Sequence, residues 1–164
     1  MTTKTDFTPE AWQAIVAAPA AITQLVMTAS FGPGDVRKET MALINKSEAL
    51  MKDPGDLPLL QALAAELKHN KEASKDAPHT PPPSEHQDAA VEKARILASL
   101  QSVRAAVDAT ATPQEAAQLK QWLYSVGEAV ANAAKEGDFM GIAGQRVSAA
   151  ETAVLGEIKA ALGL

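Results

Sequence analysis

Cysteine is absent from the chain. That excludes disulfides, thiolate metal sites and a cysteine nucleophile, and it leaves the compartment open. Histidine is nearly absent too: only His69, His79 and His86 could serve as a base or a nitrogen ligand. Aromatic residues make up only 4% of the chain. Cations are outnumbered, 15 Lys and Arg against 20 Asp and Glu, for a net charge of −5. Nucleic-acid binding needs a basic face that displaces counterions, so no nucleic-acid partner is expected. No G-x-S-x-G elbow, phosphate-binding Walker loop or H-E-x-x-H pair occurs. Carboxylates are scattered among lysines, as on solvated helix faces. No catalytic residue and no cofactor is expected, and the protein is not read as an enzyme.

What the chain has is alanine. It is the commonest residue and the best helix former, so an all-α fold is expected. The 164 residues suffice for one domain or two small halves with a real core. Thr8, Pro9 and Glu10 form a helix start: cap, first-turn proline and acidic residue. Phe7 and Trp12 have the spacing of a hydrophobic staple. Trp12, Ile15, Val16, Pro19, Ile22 and Val26 then recur at helical spacing. Pro19 lacks the amide that the Ile15 carbonyl needs, which predicts a kink. No charge falls between Glu10 and Asp35, a run approaching a bilayer span. Gln13, Pro19, Thr23, Gln24 and many weakly apolar alanines favour a buried helix of a soluble, cytoplasmic protein, with no membrane contact expected.

A second helix is expected over about 35–52, with Val36, Met41, Ile44 and Met51 facing inward. "KDPGD" predicts a turn, and a third helix over about 57–71 carries Leu59, Leu60, Leu63 and Leu67. The stretch 72–88 has four prolines and no large apolar residue, which predicts a flexible linker. Beyond it, Val91, Leu97, Leu100, Val103 and Val107 lie near one helix face. Thr112 to Glu115 is a capping box with proline at its favoured place. The next helix carries Leu119, Trp122, Leu123, Val126 and Val130, and a stop is expected near Gly137. Ser148 and Glu151 form another capping box, opening a last helix that Gly163 ends. The expected architecture is a bundle of five or six helices. Residues 1–71 and 89–164 are two helical halves, sharing one core. The segments starting at Met41 and Leu97 share a helix–turn–helix plan, which ordinary hairpin design explains as well as duplication does.

Three stretches could carry function. "GDFMGIAGQRVSAAE" holds Arg146 and Ser148, which could grip a carboxylate or phosphate at the start of the last helix. In the same stretch Phe139, Met140 and Ile142 form a candidate interaction loop, or else the packing of a tight interhelical corner. Glu66 and His69 lie one turn apart, as in carboxylate-bridged di-iron bundles, although such sites need a second such motif and further glutamates. The alternative is a surface histidine near the carbonyl end of its helix.

The tail "RVSAAETAVLGEIKAALGL", the last 19 residues, resembles the end of TerB-type tellurite-resistance proteins. The resemblance implies an all-helical fold, a stress-response role and metal binding. The acidic approach of that family is not matched, because Gly137 and Asp138 stand well upstream and in reversed order. No site residue follows from it. Two function classes are expected. The first is a non-catalytic helical protein or scaffold that binds a protein partner or itself, as a defined oligomer. The alternative is a bundle that binds a small molecule, anion or metal.

Overall fold

A computed structural model describes residues 2–29, 36–74, 89–133 and 148–164. Six α-helices and no strand occur among them: α1 (Pro9–Ala29), α2 (Val36–Lys52), α3 (Pro58–Ser74), α4 (Ala89–Thr110), α5 (Pro113–Ala133) and α6 (Ala149–Leu162). The all-α expectation is met, and α1, α5 and α6 begin one residue after the capping residues Thr8, Thr112 and Ser148.

The starts follow from local chemistry. Thr8 Oγ1 accepts from the amide of Ala11 at 3.2 Å, and Phe7 packs on Trp12 with ring centroids 5.8 Å apart. Both staple residues are buried. At α6, Ser148 Oγ accepts from the Glu151 amide while the Glu151 carboxylate accepts from the Ser148 amide. Gly163, at φ +70°, ends α6: its own amide donates to Ala160 and that of Leu164 to Lys159. Between α2 and α3, the Gly55 amide donates to Asp53 and the Gln61 side chain donates to the Gly55 carbonyl, closing an αα-hairpin.

One cluster of buried side chains draws on all six helices. Helices α1 and α5 lie at its centre. Helix α1 packs on α4, α5 and α6, and α2 packs chiefly on α5 and α3. Ile15, Ile22 and Val26 of α1 meet Leu100, Val103 and Val107 of α4 and Leu119, Leu123, Val126 and Val130 of α5, all 0–1% exposed. By length and apolarity alone α1 could cross a bilayer, yet these side chains are spent on the core. Helix α1 is continuous across Pro19, and Thr23 Oγ1 donates to the Pro19 carbonyl at 2.9 Å.

Three expectations need correction. Met41 and Ile44 do not face inward: they are 46% and 39% exposed. The inner line of α2 is instead Glu39, Leu43, Ser47 and Leu50, with Glu39 and Leu50 fully buried and the other two half-buried. Helical spacing fits both lines; packing on α5 and α3 selects the second. In α4 the buried line is Ile96, Leu100, Val103 and Val107, and Val91, five residues before Ile96 and off its stripe, is 62% exposed. Third, α3 runs to Ser74, so residues 72–74 belong to a helix and not to a linker. The rest of the proline-rich stretch, 75–88, lies outside the described residues.

Gly156 supplies a prediction. It sits exposed in the interior of α6, and a Cβ built there meets nothing within 4 Å. Gly156→Ala should stabilise the fold by about 0.5–1 kcal/mol, because alanine loses less backbone freedom on folding. Urea titration should show a higher midpoint at unchanged slope. An unchanged or lower midpoint would contradict the open surroundings of this residue.

Candidate functional site

The most site-like feature among the described residues is a groove between α1, α2 and α3. Its floor is the outer side of α1, where Val16, Pro19 and Ala20 are too short to fill the space toward α2. Its walls are Leu43, Ile44, Ser47 and Met51 of α2, and Leu67 of α3. The concavity measures about 370 Å³, at the lower end of the small-ligand range. The α2–α3 hairpin turn sets the two walls, so groove geometry traces back to "KDPGD".

One end of the groove is charged. Lys71 donates to Glu48 in an ion pair that bridges α3 and α2. The hydrogen bond from Lys71, then its charge, holds the Glu48 carboxyl below its ordinary value, and Lys52 adds to this. Both partners are about half exposed, so the pair contributes little to stability and can exchange partners. Beside it lies a second concavity, a basin of about 550 Å³, lined by Asn45, Ala49, Lys52, Lys68 and Glu72 and sharing Glu48, Met51 and Lys71 with the groove. Lys52 and Lys68 make no ion pair among the described residues. A third concavity, about 420 Å³, runs between α2 and α5 beside Met41.

The sequence-derived candidates fall elsewhere. Phe139, Met140, Ile142 and Arg146 lie outside the described residues. Ser148 is the cap of α6, and its hydroxyl and amide are both engaged with Glu151. Glu66 accepts from Lys4 at 2.8 Å; this contact keeps its carboxyl below the ordinary value against the opposing effect of burial. His69 is exposed. Among the described residues no cluster of three His, Asp or Glu side chains could hold a metal ion.

A second polar cluster ties down the N-terminal arm. Glu115, 2% exposed at the start of α5, accepts from Thr112 Oγ1 at 2.7 Å and from the Thr112 amide at 3.3 Å. It also accepts from Thr2 Oγ1 at 2.7 Å and from the Thr2 amide at 3.2 Å. Burial raises its carboxyl pKa, but the four donors outweigh burial and bring it down to about 2. This cluster is structural: all four donors come from the chain itself, and they saturate the carboxylate.

Sequence reasoning missed the groove. The available signal is Ile44 and Met51, apolar side chains of α2 that line the groove although helical spacing alone points them to the core. No family model, curated protein or solved structure matches the chain.

Proposed function

We propose that this is a non-catalytic binding protein and that the groove between α1, α2 and α3 is its site. The observation that carries the proposal is the convergence of apolar side chains from three helices on an open concavity, with charge confined to one end. This favours the small-molecule class over the scaffold class. The scaffold reading keeps one observation of its own, the exposure of Met41 and Ile44 beside the third concavity, toward α5.

Thermal unfolding and light scattering test the two together. Ligand binding to the native state raises the melting temperature as ligand concentration rises. Medium-chain alkyl compounds should produce that rise, and Ile44→Glu should abolish it. A defined oligomer that Met41→Glu converts to a monomer would instead give the surface to protein contact. A monomer with no shift from any alkyl compound would sink both readings.

A further inference from the structure

The two ends of the groove differ in a way that specifies a ligand. The inner end exposes mostly apolar atoms from Val16, Leu43, Ile44 and Leu67. The outer end brings together Lys52, Lys68 and Lys71 against Glu48 and Glu72, an excess of one positive charge on a chain whose net charge is −5. Glu48 is already held by Lys71, and Lys52 and Lys68 make no ion pair among the described residues. Lys71 itself has three donors and can keep Glu48 while taking a second acceptor. From Leu43 to Met51 the α2 wall of the groove is about 12 Å long at the helical rise per residue. An open apolar groove with ammonium groups beside one end matches a molecule with one alkyl chain and one anionic head.

We propose that the groove binds a free, single-chain carboxylate of medium length, with its alkyl chain between α1, α2 and α3 and its head group among Lys52, Lys68 and Lys71. This rests on the groove being the binding site. The alkyl chain gains by leaving water, in proportion to its buried area. The head group need not be desolvated, because the basin is open and its lysines are exposed. Burying a carboxylate would cost far more than such a site could return, so an exposed cationic mouth is the arrangement this ligand class requires. The lysines therefore add orientation and selectivity for the head, and the three-helix groove supplies most of the affinity.

Calorimetric titration of the full chain with decanoate, decanol and decyltrimethylammonium, all below micelle formation, separates the contributions. Decanoate should bind one to one, and about tenfold more tightly than decanol, as two or three exposed charge contacts allow. The ammonium compound should bind more weakly than decanol. The double variant Lys52→Glu, Lys68→Glu should remove the preference for decanoate and leave decanol unchanged. Ile44→Glu, at an exposed position whose substitution leaves the core intact, should remove binding of both; circular dichroism melting confirms that each variant is folded. Equal binding of decanoate and decanol, indifferent to the lysines, would overturn the head-group assignment and leave the groove as the binding site. Absence of binding by every alkyl compound would overturn both. Binding that survives Ile44→Glu would place the ligand outside the groove and overturn the assignment. Co-sedimentation with phosphatidylglycerol vesicles without binding of free decanoate would give the lysines to a membrane surface, and would also overturn it.

Discussion

Glu115→Gln should lower the unfolding free energy at neutral pH by about 2–3 kcal/mol, which for a chain of this size is about 4–12 °C in melting temperature. The side chain keeps its volume, so packing is not the cause. Oε2 accepts three hydrogen bonds and Oε1 a fourth, all from donors. A glutamine has one acceptor oxygen and one NH2 group. Whichever way it turns, the NH2 faces at least one backbone N–H, the buried one of Thr2 or the partly buried one of Thr112, and that donor loses its acceptor. Loss of the cap of α5 and release of the arm carrying Thr2 then follow together.

The same carboxylate sets an acid response. Its pKa is about 2 in the folded state against an ordinary 4.5. Between these values the unfolded chain holds the proton and the folded chain does not, so stability rises with pH across the interval. The contribution is fully present above 4.5 and is lost as pH falls toward about 2. The shift corresponds to about 3 kcal/mol at most. Other carboxylates, including Asp108 held low by Lys120, lose stability in the same range, so the measurable quantity is the difference between wild type and Glu115→Gln. That difference should shrink from neutral pH to pH 2. A constant difference across this range would show that the Glu115 charge is not what the four donors hold.

Half of this cluster is legible in the sequence. Thr112 and Glu115 stand three apart and announce a cap, because the partners of a helix start are local. Thr2 is 113 positions away, and nothing in its neighbourhood points to α5. The same division runs through the fold. Helix ends depend on Pro9, Pro58, Pro113, Ser148 and Gly163, residues whose conformational limits act where they stand. Helix faces depend on neighbours. Helix α2 carries two apolar lines, one through Met41 and Ile44 and one through Leu43 and Leu50. The second also contains Glu39, 1% exposed, a polar residue that disguises the inner stripe. The outer line is what remains for the groove and for the surface toward α5. A residue pattern can say that α2 has apolar side chains to place; only the positions of α1, α3 and α5 say which of them stay open.

Gly127 is where such positions become most exacting. It is buried in α5, and a Cβ there would lie 3.1 Å from Leu155 Cδ2 of α6 and 3.2 Å from Ile22 Cγ2 of α1. Three helices meet at a residue with no side chain. Alanine would need small shifts from both neighbours, partly offset by its higher helix propensity. Valine adds two further carbons where no space exists, so Gly127→Val should cost about 2–3 kcal/mol by overpacking. Ile22→Ala should cost about 2–4 kcal/mol through the cavity it leaves. Combined, the two should cost less than their sum by about 1 kcal/mol or more, since the valine methyls enter the space vacated by isoleucine. Residue 22 precedes the proline-rich stretch and residue 127 follows it, so this coupling measures whether the two halves of the chain unfold as one body. Urea denaturation of the wild type, both single variants and the double variant gives the cycle. Costs that add to within about 0.5 kcal/mol would mean that Ile22 and Gly127 do not meet, and would separate α1 from α5 at the point where the core is tightest.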